Sequence, residues 1–287
     1  MNRRHFLRAG AAGVVSLNHF PYPLFAAAKP KNATDRVILG PRKIELSRMA
    51  MGTGTIGTNG SSNQTRKLGY RGLSELFRAA YDQGITFWDS ADAYGSHTYL
   101  REALKTVPRD KVVILSKTQA TTAAGMRADL DRFRKELGVD YIDILLLHVQ
   151  TAPDWNIRQR PVMDVITEAQ EKGIVRTKGC SCHTLAALKA AAAEPWVEVD
   201  LARLNPAGLH MDSDPQTVIG VLKQMKAAGK GVIGMKILGQ GDLVNKIDEA
   251  LQFATAQDVL DCFTIGSESR ADLEGLLKKI PAASVRG

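Results

Sequence analysis

At 287 residues, 44% hydrophobic and 24% charged, the chain has ordinary globular composition and enough length for a sizeable core. The formal charge is +8; Arg3, Arg4 and Arg8 carry three of it, and the remaining +5 is dispersed among Asp and Glu, which excludes a nucleic-acid surface. Three cysteines, Cys180, Cys182 and Cys262, are too few and of the wrong parity for a disulfide framework.

The chain opens on Asn2-Arg3-Arg4-His5-Phe6-Leu7-Arg8, continues through a weakly apolar Ala/Gly/Val/Leu stretch, and reaches Ala26-Ala27-Ala28. This resembles a twin-arginine export signal with a small-residue cleavage site. The expectation is a signal over residues 1–28, a functional domain over 29–287, the twin-arginine export machinery as a partner, and a periplasmic or otherwise exported product. Asn18 and His19 interrupt the apolar stretch before it could span a bilayer, so no stable membrane insertion is expected once the signal is processed.

Beyond a Lys/Pro-rich junction, residues 36–39 and 43–46 alternate across Gly40-Pro41 and read as a short hairpin. Eight apolar runs then alternate with helical segments. The predicted strands cover 48–53, 85–89, 111–117, 141–148, 175–181, 197–204, 231–238 and 262–266. The predicted helices cover 72–83, 97–106, 123–137, 161–172, 185–193, 215–228, 242–256 and 270–280, with apolar residues at three-and-four spacing. Gly84, Gly138, Gly173 and Gly229 sit where helices should stop. Eight strands each followed by a helix, with no linker between them, close most economically into one α/β domain, a (β/α)8 TIM barrel with a short N-terminal β-hairpin.

The strand ends carry the chemistry. The run Ile85-Thr86-Phe87-Trp88 ends in Asp89, with Tyr94 five residues on; the next strand ends in Lys117 and the one after in His148. In a barrel these ends share one face. A phenol titrates near 10 and needs a neighbouring cation to act as an acid at neutral pH; Lys117 can be that cation, and Asp89 the anion that keeps it charged. His148 is then placed to orient a substrate oxygen. Taken singly, each residue has a bland reading as a cap, a strand-end charge or a satisfied core histidine.

Two decoys stand beside this set. Gly52-Thr53-Gly54-Thr55-Ile56-Gly57 matches a dinucleotide fingerprint, but residues 58–64 read as a loop where the fingerprint needs a helix at once. Cys180-Ser181-Cys182-His183 hints at a metal, but a structural zinc needs four ligands and no second cluster is visible, so no metal is expected.

These motifs together resemble the aldo-keto reductases. The resemblance rests on residues 48–55, on Asp89-Ser90-Ala91-Asp92-Ala93-Tyr94-Gly95, on Leu115-Ser116-Lys117-Thr118, on the run from Asp143 to His148, and on Gly173-Ile174-Val175-Arg176. It covers about residues 37–277. It implies a tetrad of Asp89, Tyr94, Lys117 and His148, with NADP(H) or NAD(H) laid across the barrel mouth and a small-molecule carbonyl as substrate. Tyr94 is then the general acid, with its pKa lowered by Lys117 and Asp89. By the same resemblance Gly52 and Thr53 lie near the nicotinamide, Ser181 and Cys182 face its carboxamide, and Lys236, Leu238, Gly239 and Gly241 belong to the loop over the pyrophosphate.

The departures from the family pattern are specific. Cys182 replaces an Asn, Leu201 replaces a Gln, and Leu204 stands where an aromatic stacks on the nicotinamide. The segment Gly266-Ser267-Glu268-Ser269-Arg270 lacks the Lys-Ser that grips a 2′-phosphate, Glu268 opposes one, and Arg270 is the remaining candidate. Gly54 in place of a bulkier residue, with little chain after the eighth helix, implies an open pocket for a broad or large carbonyl. A second reading keeps the site but not the turnover: a nicotinamide- or ligand-binding barrel descended from these enzymes.

Overall fold

The computed structural model describes residues 29–285. The export signal expected over 1–28 lies outside the described residues. A two-stranded antiparallel hairpin, β1 (Arg36–Leu39) and β2 (Ile44–Ser47), precedes eight parallel strands that close into a barrel. These are β3 (Met49–Gly52), β4 (Phe87–Asp89), β5 (Val113–Thr118), β6 (Ile142–Gln150), β7 (Val175–Cys182), β8 (Val199–Arg203), β9 (Gly231–Met235) and β10 (Cys262–Gly266). Neighbours follow chain order around the ring, and β10 returns to pair with β3 through Gly266 opposite Gly52.

The core has two layers because strand side chains alternate in direction. Ala50, Phe87, Leu115, Ile144 and Leu201 fill the barrel, joined by Leu39, Ile44 and Leu46 of the hairpin. The hairpin therefore plugs the barrel floor; a Cβ on Gly231 at the start of β9 would meet Leu39 Cδ1 at 2.7 Å. The opposite strand faces carry Trp88, Leu145 and Leu147 against the helices. Each fully buried large apolar side chain contributes about 1.5–3 kcal/mol through burial. The floor is also tied by charge. Asp143, fully buried on β6, accepts from Arg109 Nη2 at 2.7 Å, Arg176 Nη1 at 2.6 Å and the Ile114 amide at 2.8 Å.

The helices are α1 (Asn63–Asp82), α2 (His97–Leu104), α3 (Ala123–Leu137), α4 (Trp155–Arg158), α5 (Arg160–Glu171), α6 (Leu185–Ala193), α7 (Pro215–Ala227), α8 (Ile247–Ala256) and α9 (Arg270–Ser284). Three differ from expectation. α1 begins at Asn63 rather than at 72, because Ser62 and Thr65 form a reciprocal cap, and it breaks at Gly69, whose φ of +62 and ψ of −177 are non-helical and favour glycine. The loop after Gly52 therefore ends at Ser62, still too long for a dinucleotide fingerprint. α4 is a four-residue turn too short for periodicity to reveal. α8 starts at Ile247 instead of 242, since two 3-10 turns at Gly239–Gly241 and Val244–Lys246 occupy the approach. No helix among the described residues is long and apolar enough to cross a membrane.

Candidate active site

β4, β5 and β6 are adjacent in the barrel, so their C-terminal ends present Asp89, Lys117 and His148 side by side. Lys117 is fully buried and forms an ion pair with Asp89 Oδ1 while donating to the Ser90 carbonyl at 2.8 Å. The second Asp89 oxygen accepts from Thr264 Oγ1 on β10 at 2.8 Å. Thr53 Oγ1 donates to the Asp89 carbonyl at 2.9 Å, which fixes the backbone of the acid from β3. Burial works against the Lys117 ammonium, but the charges of Asp89 and Tyr94 and their hydrogen bonds outweigh it, and its pKa is raised.

Tyr94 is delivered by the 3-10 turn Asp92–Tyr94, which Gly95 ends in the left-handed region at φ +63. Its ring stands edge-on to His148, with the centroids 5.6 Å apart, and its hydroxyl lies 3.4 Å from His148 Nε2. Lys117 Nζ sits 4.7 Å from the Tyr94 ring centroid. Burial pushes the Tyr94 phenol above its ordinary range; Lys117 pulls it down without overcoming burial, and Asp89 adds to the rise. The expectation of a lowered phenol pKa is thus corrected: Lys117 only limits the rise. His148 is held down to about 2, by burial first and then by the charges of Lys117 and His183, and is a neutral imidazole. Its Nδ1 is buried without a hydrogen-bond partner. Val149, immediately after it, has φ +59 at a shift in the β6–β7 register, a bulge of the kind that re-aims side chains beside active sites.

A cavity of 1090 Å³ opens on this set, at the top of the roughly 300–1,000 Å³ range of small-molecule sites. Asp89, Tyr94 and His148 line it, together with Glu268, Gly275 and Lys279 of the α9 region and with Lys236, Leu238, Gln240 and Gly241 of the segment after β9. Lys236, Gly239, Gln240 and Gly241 all have positive φ, and the Gly239 and Gly241 amides donate back to the Lys236 and Leu238 carbonyls at 2.8 and 2.9 Å, which folds the segment into a tight turn. A cavity of this size, with Lys67, Lys236 and Lys279 in its wall, has room for a dinucleotide and cations to meet its phosphates.

The other expected cofactor contacts divide. Gly52, Lys236, Leu238 and Gly241 line the cavity, whereas Gly239 is buried beside Leu243 and Leu209 and acts through the shape of the turn. Thr53 supports Asp89 and does not line the cavity. Ser181 is fully buried and accepts from the Val149 amide at 3.1 Å, so it braces the bulge behind His148. Cys182 shares a strand face with Cys180, outside the barrel and away from the cavity, because successive residues of β7 point to opposite sides. Arg270 points along α9 to Glu274 at 3.1 Å, exposed and outside the cavity wall. In its place Lys67 pairs with Glu268, which also accepts from Asn63 Nδ2 at 2.8 Å. The space expected beside Gly54 is filled by the Tyr94 ring. A Cβ on Gly54 would lie 2.4 Å from Tyr94 Cζ, and one on Gly57 2.3 Å from Tyr94 Cδ1.

The model of the Aldo/keto reductase family matches residues 48–280. Among curated relatives, the chain is 26% identical over 169 residues to the NADH-specific methylglyoxal reductase of Escherichia coli, covering 51% of each protein. It is 31% identical over 154 residues to the aldo-keto reductase YhdN of Bacillus subtilis, covering 48% of this chain and 44% of that one. The chain thus spans about half the length of these relatives. Among solved structures, an aldo-keto reductase of Pseudomonas aeruginosa superposes with a TM-score of 0.72 at 20% identity, over 91% of this chain and 100% of that one. The holo form of aldo-keto reductase AKR11C1 from Bacillus halodurans gives 0.70 at 17% identity, over 86% and 91%. These structures share the barrel, and the family match across most of its length establishes that this chain belongs to the aldo/keto reductase family.

Proposed function

We propose that this protein is an exported reductase that converts an aldehyde or ketone to an alcohol with NAD(P)H, using Tyr94 as the proton donor. The observation that carries the reading is the convergence of Tyr94 Oη and His148 Nε2, 3.4 Å apart, in the cavity wall with the Lys117–Asp89 pair behind them. Lys67, Lys236 and Lys279 in the cavity wall would hold the phosphates of a reduced nicotinamide cofactor, which would supply the hydride for the carbonyl carbon. Negative charge then develops on the carbonyl oxygen, and Tyr94 gives its phenolic proton to that oxygen, leaving an alcohol. The Lys117 ammonium stabilises the phenolate that remains until solvent returns the proton. Neutral His148 orients the oxygen without competing as an acid. Asp89 keeps Lys117 charged, and Thr264 keeps Asp89 in place.

NADH is the proposed preference. Glu268 lines the end of the cavity where the family grips a 2′-phosphate, and its carboxylate is held there by Lys67 and Asn63. One relative is named an NADH-specific reductase, which agrees with this reading. Export rests on the paired Arg3 and Arg4, the weakly apolar stretch after them and the Ala26-Ala27-Ala28 site. Its test is secretion of the full chain against an Arg3→Lys/Arg4→Lys variant, with retention of both or export of both counting against it.

The experiment for the activity is Tyr94→Phe. Carbonyl reduction should fall by about 10²–10⁴-fold, the usual contribution of a positioned acid, while NADH binding followed by tryptophan fluorescence stays within a few-fold. An unchanged reduction rate would overturn the assignment. Tight NADH binding by the wild type without turnover of any carbonyl would favour the binding-module reading.

A further inference from the structure

Outside the barrel mouth, β7 and β8 bring three ligand-bearing side chains together in the layer between strands and helices. Cys180 and Cys182 share one strand face two residues apart, with their sulfurs 3.9 Å apart. Asp200 of β8 is the register partner of Cys180, and its Oδ1 lies 3.5 Å from Cys180 Sγ. All three residues are fully buried, and their ligand atoms lie within 4.8 Å of one another. Asp200 Oδ2 has no hydrogen-bond partner. An orphaned carboxylate oxygen in an apolar layer is costly enough to need a counterpart.

We propose that Cys180, Cys182 and Asp200 bind a zinc-class divalent cation that pins β7 to β8. The distances suit the ion. Zinc–sulfur bonds of about 2.3 Å and zinc–oxygen bonds of about 2.1 Å give tetrahedral edges of about 3.8 Å between sulfurs and about 3.6 Å from sulfur to oxygen. Asp212 Oδ2 is also buried without a partner, and its charge reaches both Asp200 and Cys182. Arg203 holds the other Asp212 oxygen. On binding, each thiol loses its proton to solvent, so two thiolates and one carboxylate, with a water in the fourth position, surround the ion and leave one negative charge in excess. The Lys230 ammonium, which donates to the Ala191 carbonyl at 2.8 Å and the Glu194 carbonyl at 2.6 Å, lies within electrostatic reach of Cys180 and Asp200 to offset it. The ligands sit on the outer face of the segment whose inner face carries Ser181 and, just beyond, His183 in the cavity wall. The ion is therefore structural and remote from the hydride chemistry.

Because the ligands are buried, the ion enters during folding, and the test loads it during expression. The full chain is produced in medium supplemented with Zn²⁺ or Co²⁺, dialysed, and assayed for bound metal and for a thiolate-to-cobalt charge-transfer band. The expected result is one ion per chain and a band that is lost in Cys182→Ser and weakened in Asp200→Asn, the latter with at least tenfold lower metal occupancy at limiting Zn²⁺. Cys262→Ser, at the third buried cysteine, should keep both. Circular dichroism identifies any variant that fails to fold, and the near-isosteric Asp200→Asn carries the test if Cys182→Ser does. Absence of bound metal from the wild type overturns the proposal. So does a mass two units low that marks a Cys180–Cys182 disulfide, or a band that survives in both variants.

Discussion

The Tyr94 ring rests on the backbone of Gly54, so close that a Cβ there would stand 2.4 Å from two of the ring carbons. The Gly54 backbone conformation is open to any residue, so the restriction is one of space. Gly54→Ala should tilt the ring and carry its hydroxyl away from His148. Misplacement by about 1 Å costs roughly 10²-fold in rate, so kcat for carbonyl reduction should fall by that order with NADH affinity little changed. A variant with wild-type kcat would mean that the ring does not need this seat.

The raised phenol predicts the pH profile of reduction. Burial keeps Tyr94 protonated beyond its ordinary range, and Lys117 stays charged beyond its own. kcat should therefore be flat from about pH 6 to pH 9, since neither group titrates there. A limb falling within that interval would show that another group carries the proton.

Stability should respond to His148 in the opposite part of the scale. Its folded pKa of about 2 lies below the unfolded value of about 6.5, so the unfolded chain takes the proton first. The contribution is complete above about pH 6.5 and is lost as pH falls, by at most about 1.4 kcal/mol per unit. Between about pH 6.5 and 5 the wild type should lose about 2 kcal/mol more than His148→Gln in urea unfolding. Parallel slopes for the two proteins would place the histidine in water.

Glu268 is the expected discriminator between the two dinucleotides. Glu268→Gln removes the opposing charge and releases Lys67 toward a 2′-phosphate, so the Kd for NADPH should fall about tenfold relative to that for NADH, a shift of about 1.4 kcal/mol. Fluorescence titration of both dinucleotides measures it, and an unaltered ratio would move the discrimination elsewhere in the wall.

At the barrel floor, Asp143 should matter to stability and not to rate. Asp143→Ala leaves Arg109, Arg176 and the Ile114 amide without their common acceptor, and breaking a buried pair in this way costs about 3–5 kcal/mol. The folded fraction should reduce carbonyls at the wild-type kcat.

What the sequence disclosed, it disclosed locally. Apolar runs ending in Asp89, Lys117 and His148 announce strand ends, and the strand–helix alternation closes them into a ring, so the meeting of these side chains on one face was legible from spacing. Thr264 was not, because its bond to Asp89 joins residues 175 positions apart and needs the ring to be closed. The seat of Tyr94 on Gly54 and Gly57 is likewise a matter of packing. Cys182 was misread although the signal was present: strand alternation that turns Ser181 inward must turn Cys182 outward. Arg270 failed for a different reason, since the first turn of α9 offers it Glu274 as a nearer partner than the cavity.

The closure of the ring by β10 carries a consequence for synthesis on the ribosome. Asp89 emerges early, but the hydroxyl that seats it arrives with Thr264, 175 residues later. Until then β3 lacks one neighbour and the barrel has two open edges, the condition in which strands recruit the wrong partners. A nascent chain arrested before β10 should therefore be bound by chaperones and cut by protease, and one arrested after β10 and α9 have emerged should show neither.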